Sequence, residues 1–208
     1  MLNELLERYS VLISCKEEIT SAKEALIDCY KNGGKLLLCG NGGSCADCDH
    51  IVGELMKGFL KKRPLSDEKK AEMKKNFSAI EDEVLEKLQG ALPAVSLPSI
   101  TALNSAFCND VDPELVYAQP LMSLAGENDI LIAISTSGNS KNVYGAGKVA
   151  KALGVKVLAL TGGTGGKLKE ISDICICVPE TETFKIQELH LPVYHYLCAA
   201  TEEEFFKI

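Results

Sequence analysis

With 208 residues, 46% of them apolar and 25% charged, the chain has the composition of a soluble globular protein, and its length suits one domain with a full core. A net charge of −7 and the lack of any Lys/Arg cluster with interleaved aromatics argue against nucleic acid as a partner. No apolar run approaches the ~18 residues of a membrane-spanning helix, and the N-terminus, MLNELLERYSVLISCKEE, is amphipathic and acidic, which is wrong for an export signal; the nine cysteines therefore read as reduced thiols in the cytoplasm.

Apolar positions recur at helical spacing from Leu2 through Leu5, Leu6, Tyr9, Leu12 and Ile13, then from Ile19 through Ala22, Ala25, Leu26 and Cys29, until Gly33-Gly34 ends the pattern. The stripe is long for an opening helix, and part of segment 1–33 is expected to pack on a second subunit. A short strand over 35–39 then breaks into the turn Gly40-Asn41-Gly42-Gly43. Ser44 stands where a helix N-cap belongs, and the helix predicted over 44–58 carries His50 and Glu54 four residues apart, on one face. The stretch from Lys61 to Gln89 differs in texture: it is dense in charge, with helical periodicity in Met73, Phe77, Ile80, Val84 and Leu88, and predicts one or two helices inserted before the next strand. Further strands are predicted at 94–98, 129–134, 156–160 and 174–178, with helices over 101–108, 139–153, 166–171 and about 184–206 between and after them. Near-continuous apolar strands alternating with helices predict an α/β fold, an open parallel sheet covered on both faces.

Three constellations carry chemistry. The first is the strand–turn–helix at Asn41, Gly42, Gly43 and Ser44, where outward N–H groups and the positive end of the helix dipole make an anion site. The second, Ser135-Thr136-Ser137-Gly138-Asn139-Ser140, follows the most apolar strand and offers four hydroxyls to phosphate oxygens, with Ser140 also placed as an N-cap. Neither a G-x-x-x-x-G-K-[ST] run nor a G-x-G-x-x-G fingerprint occurs, so a phosphate monoester suits these loops better than a nucleoside triphosphate or dinucleotide. The third lies in the last helix, where Gln187, Glu188, His190 and His195 fall close together in a chain with three histidines. A set of His50, Glu54, Gln187 and His195 has the chemistry of a divalent-metal site, although Gln187 and His195 are eight residues apart, a rise of ~12 Å along a helix. One ion reaches both only if Pro192 bends the helix or the ligands come from different subunits. Cys45-x-x-Cys48 lacks a second such pair and reads as incidental packing.

Taken together, CGNGGS (39–44), His50 with Glu54, Asn109-Asp110, ISTSGNS (134–140), LTGG (160–163) and IQELH with His195 resemble the sugar isomerase (SIS) domain and, within it, the phosphoheptose isomerases. The resemblance spans 35–198 outside the insertion. It implies a flavodoxin-like three-layer sandwich forming a single SIS domain over 1–208, with the N-terminal helix and the helical insertion of 61–90 added to it. It also implies a homotetramer with active sites between chains, and interconversion of sedoheptulose 7-phosphate with D-glycero-D-manno-heptose 7-phosphate through an enediol. Carried over by position, Ser44, Ser135, Thr136, Ser137 and Ser140 hold the phosphate, with Asn41 and Asp110 near the sugar. Glu54 and His195 form the acid/base pair, and His50, Glu54, Gln187 and His195 bind Zn²⁺ in metal-bound members. Two departures touch the substrate: the family's arginine position is Gly58 here, with Lys57 the nearest cation, and the insertion is atypical. The alternatives are an isomerase of a different phosphosugar and a non-catalytic SIS module that senses a phosphosugar or binds a protein partner.

Overall fold

The computed structural model describes residues 1–206. Five strands, β1 (Leu36–Gly40), β2 (Ala94–Ser96), β3 (Ile130–Ile134), β4 (Lys156–Gly162) and β5 (Ile174–Val178), form one sheet in the order β2-β1-β3-β4-β5, every neighbouring pair parallel. This is the doubly wound order in which the chain reverses direction between β1 and β3. Every residue of β1 and β3 is buried because helices cover both faces, which explains why these strands show no polar alternation.

The two faces make separate cores. Leu36, Leu38, Ile130, Ile132 and Ile134 pack with α2 (Lys16–Lys31), α3 (Gly43–Met56) and α10 (Thr183–Phe205). Leu37, Cys39, Leu131 and Ala133 point the other way, onto α7 (Ala118–Leu124), α8 (Lys141–Ala152) and α9 (Gly166–Ile171). The flavodoxin-like, three-layer expectation from the sequence is met.

Four local features differ from the sequence reading. The N-terminal stripe is not one helix: α1 (Leu2–Arg8) stops at Tyr9 (φ −129°, ψ 68°), and a 3₁₀ turn over Ser10–Cys15 leads into α2. Leu12 and Cys15, both buried at three-residue spacing, suit that tighter winding. Second, α3 begins one residue early. Gly42, at φ 57°, takes the N-cap position that the sequence assigned to Ser44, and no side chain caps the helix. Third, α7 was not anticipated, being short and carrying Pro120. Fourth, α10 continues through Pro192 from Thr183 to Phe205 without interruption.

The insertion forms α4 (Asp67–Asn76) and α5 (Asp82–Lys87), of which only Leu85 is buried. Its two ends meet at a bridge between Pro64 and Gln89, and the Gly90 N–H donates to the Arg63 carbonyl at 2.7 Å. Among the described residues no helix is long and apolar enough to cross a membrane.

Candidate active site

The reversal between β1 and β3 creates the site. Cys39 pairs with Ala133 and Gly40 with Ile134 at the carboxyl ends of these strands, so the loops that follow leave the sheet side by side. After β1 the Asn41 carbonyl accepts from Ser44 N–H at 3.0 Å, closing the turn that starts α3. The Asn41 side chain is fixed from two directions. Its Oδ1 accepts from the Tyr117 hydroxyl at 2.9 Å and from Asn142 Nδ2 at 3.0 Å, while its Nδ2 donates to Asn142 Oδ1 at 2.8 Å. The one Tyr117 hydrogen is shared with the Gly40 carbonyl, also at 2.9 Å, tying the turn to α7's entry.

After β3, Ser135 and Ser140 hydroxyls bond each other at 2.9 Å, so Ser140 holds the N-cap position of α8 without spending its side chain on the cap. Ser137 Oγ accepts from Asn139 N–H at 3.2 Å. Gly138 (φ 65°) lies so close to the loop after β4 that an added Cβ would stand 1.9 Å from the Gly165 carbonyl oxygen, which is why a glycine is required there. Ser44 and Ser135 are buried, whereas Ser137 is exposed. The loops thus present hydroxyls and backbone N–H groups around one shelf, with no lysine or arginine among the residues named. Thr136 sits within the same loop, its carbonyl accepting from Gly162 N–H at 3.0 Å.

Along α3 and α10 lies a second group. His50 Nε2 is 3.1 Å from Glu54 Oε1 and 3.5 Å from His195 Nε2, bringing together a carboxylate and two imidazoles from helices 145 residues apart. The His50 and His195 rings meet edge to face, 5.0 Å between centroids, and Phe59 covers His195 at 5.5 Å. Burial lowers the pKa of His195, His50 nearby lowers it further, and Glu54 opposes both, so the balance favours the neutral ring. Lys57 approaches the other Glu54 oxygen at 3.7 Å. An apolar groove of about 270 Å³ between α1 and α10, lined by Leu5, Tyr9, Phe59 and Leu191, opens at His195.

The predicted metal set is only partly assembled. Gln187 lies against Gly43, where a Cβ would be 2.5 Å from its Nε2, and so sits beside the β1 turn; His195 is two turns further along α10, which runs on through Pro192. Among the described residues no three His, Cys, Asp or Glu side chains form a closed metal centre. His50, Glu54 and His195 are nevertheless donor types that a divalent ion takes, and His50 Nε2 stands 3.1 and 3.5 Å from the other two. Asp110 ends α6 (Thr101–Asp110), paired with Asn109 at 2.7 Å and joined by no hydrogen bond to either group among the described residues. His190 is a core residue: it is fully buried, its Nε2 3.2 Å from the Thr161 carbonyl, and burial pushes its pKa down to about 4. Gly58 donates its N–H to Gln89 Oε1 at 2.7 Å, at the neck of the insertion.

The sequence reading missed Tyr117, Asn142, Asp47 and Tyr194. Asn142 stands two residues after Ser140 and Asp47 one turn before His50 on α3, so both were readable from spacing; Tyr117 and Tyr194 reach the site only through long-range pairing.

Comparison with known proteins points to one family. Two family models, each described as SIS domain, match residues 2–97 and 104–199. A phosphoheptose isomerase from Helicobacter pylori (strain Shi470) is 39% identical over 194 residues, 93% of this chain and 88% of that protein. Another, from Aneurinibacillus thermoaerophilus, is 36% identical over 205 residues, 94% of this chain and 90% of that protein. Among solved structures, phosphoheptose isomerases from Neisseria gonorrhoeae and Francisella tularensis superpose with TM-scores of 0.72 and 0.74 at 30% identity, each covering 97% of this chain and 98% of the other.

Proposed function

Because the chain belongs to the phosphoheptose isomerase family of SIS-domain proteins and is a phosphosugar aldose–ketose isomerase, we propose that its reaction interconverts sedoheptulose 7-phosphate and D-glycero-D-manno-heptose 7-phosphate. The observation that carries this reading is the arrangement along α3. Gly43 at the phosphate shelf and His50 in the acid/base group are seven residues apart on α3, a rise of ~10 Å. A sugar anchored by its phosphate at the shelf therefore lies with its carbon chain directed toward Glu54 and His195.

The phosphate is held by Ser44, Ser135, Thr136, Ser137 and Ser140 with the N–H groups of Gly42 and Gly43, and Asn41, Asp110 and Gln187 orient the hydroxyls. Glu54 removes the proton from the carbon next to the carbonyl while His195, as a neutral imidazole, gives a proton to the carbonyl oxygen, forming the enediol. Glu54 then returns its proton to the neighbouring carbon and His195 recovers one from the other hydroxyl, so no net proton is consumed. His50, Glu54 and His195, with Gln187 supplied by a bent α10 or another subunit, would hold Zn²⁺. When bound, the ion polarises the sugar's oxygens.

A homotetramer is part of the proposal. Helix α6 buries none of its residues and the surface around it exposes Leu103 (36%) and Val111 (66%), an unusual load of apolar surface that a second copy would cover, together with segment 1–33. Nine free cysteines support a reducing cytoplasmic setting.

The deciding experiment is incubation of zinc-supplemented protein with sedoheptulose 7-phosphate in D₂O, following C1 and C2 by NMR. Aldoheptose phosphate with deuterium incorporated at those carbons is the expected result. Resonance shifts showing binding, without product or exchange, would move the assignment to another phosphosugar or to a sensing role.

A further inference from the structure

Behind His50 stands a pair of residues that none of the chemistry above employs. The Tyr194 hydroxyl, on a side chain that is 2% exposed, is 3.1 Å from Asp47 Oδ1 and 3.1 Å from His50 Nδ1. Asp47 lies one turn before His50 on α3, and its Oδ2 is buried with no hydrogen-bond partner. We propose that Asp47 and Tyr194 are positioning residues that fix His50 as its Nδ1–H tautomer and so aim the Nε2 lone pair at Glu54 and His195. This rests on the reading of Glu54 and His195 as the acid/base group.

Counting hydrogens fixes the direction of each bond. A phenol has one to donate, and a carboxylate only accepts. With that hydrogen given to Asp47 Oδ1, the Tyr194 oxygen is left to accept, and the atom facing it, His50 Nδ1, must be the donor. A proton parked on Asp47 Oδ2 instead would leave a buried donor without an acceptor, which costs about 1–3 kcal/mol. Neutral His50 then has no hydrogen on Nε2.

The consequence reaches the reaction. In the other tautomer, Nε2–H would donate to Glu54 Oε1 at 3.1 Å and occupy an oxygen of the base. In the fixed tautomer, Nε2 and the carboxylate are both acceptors, and their juxtaposition is relieved by a cation or by a proton arriving on Glu54. The same pair therefore keeps the base free and gives the trio its affinity for a positive charge, as outer hydrogen bonds do for ligating histidines generally.

The test uses ¹⁵N-histidine-labelled, metal-free protein above pH 7.5 and long-range ¹H–¹⁵N spectra. Three histidines make assignment by single substitution direct. His190 is an internal standard, because its Nε2 faces the Thr161 carbonyl, which only accepts; it must be the Nε2–H tautomer, opposite to His50. The expected result is a protonated Nδ1 and a bare Nε2 for His50, a shift of His50 toward Nε2–H in Tyr194→Phe with His190 unchanged, and a 10- to 100-fold fall in kcat with KM nearly constant in that variant. Asp47→Asn still offers an oxygen to Tyr194 and keeps the tautomer. A protonated Nε2 on His50 in the unsubstituted protein overturns the proposal without needing any variant to fold, as does an unchanged tautomer in a folded Tyr194→Phe. Full turnover by Glu54→Gln would remove the acid/base reading while leaving the spectra as they are, so the two failures are distinguishable.

Discussion

Replacing Arg63 with methionine tests whether the end of α3 is held by one buried ion pair. Arg63 and Glu202 have side chains 0% and 1% exposed, with Nε to Oε1 at 2.8 Å. The guanidinium also donates to the Leu55 carbonyl at 2.6 Å and the Glu54 carbonyl at 3.1 Å, and lies 4.6 Å from the Phe206 ring centroid. Removing one partner of a buried pair costs roughly 3–5 kcal/mol because the other charge stays behind. Here Glu202 keeps the N–H groups of Phe59, Leu60 and Lys61 at 2.8, 2.8 and 3.1 Å, and the Leu55 carbonyl keeps Leu92 N–H, which places the loss at the lower end. A loss of about 3 kcal/mol corresponds to a fall in Tm of roughly 6–12 °C for a domain of this size. Calorimetry or thermal circular dichroism reads this directly. The double variant Arg63→Met/Glu202→Leu should recover only part of it, since three N–H groups then lose their acceptor. Burial pushes the Glu202 carboxyl up, but the Phe59 and Leu60 N–H groups and Arg63 outweigh it and the pKa is lowered. A depressed carboxyl stabilises the fold above its unfolded pKa of about 4.3, and the contribution is lost as pH falls through the lower folded value; Arg63→Met should flatten that acid limb. A loss below about 1 kcal/mol would refute the premise that burial makes this pair matter.

Three other outcomes follow from the geometry. Glu54→Gln should abolish turnover while phosphosugar still raises Tm, and normal turnover would exclude Glu54 as the base. Gly138→Ala must move backbone, since its Cβ would stand 1.9 Å from the Gly165 oxygen at φ 65°; we expect a loss on the order of 1–3 kcal/mol and a KM at least several-fold higher, and an unchanged KM would detach this loop from phosphate binding. His190 is neutral in the fold with a pKa near 4, so between the unfolded pKa of about 6.5 and that value the unfolded chain binds more protons and stability falls as pH drops, by about 3 kcal/mol. His190→Gln should lose most of this slope in urea titrations at successive pH values; an unaltered slope would assign it to other groups.

The sheet was legible because its strands are apolar on both faces: LLLC, ILIAI and ICICV each stand between glycine or polar turns, and local composition decides them. What escaped depended on backbone conformations that composition does not encode. Tyr9 leaves helical dihedrals within an unbroken apolar stripe, and Gly42 rather than Ser44 opens α3 because a left-handed residue turns the chain there. In the candidate site, the spacing of His50 and Glu54 and the hydroxyls of 135–140 could be read off the chain, since each group lies within one turn or one loop. The apposition of His195 to His50 and of Tyr194 to Asp47 spans about 145 residues and exists only once α3 and α10 lie together. The separation of Gln187 from His195 was already contained in the helical rise, and an uninterrupted α10 preserves it.

The closed neck of the insertion has an evolutionary meaning. Strand pairing at Pro64 and Gln89 and the bond from Gly90 to Arg63 return the chain to the place it left, so the charged helices beyond add a loop whose length the sheet does not register. Loop-closure entropy grows only as the logarithm of length, so a module joined through one pinched entrance can change length at little cost to the sheet. Arg63, on the inner side of that entrance, bonds the Glu54 and Leu55 carbonyls, so the chain leaves for the insertion at the same point that holds the end of α3.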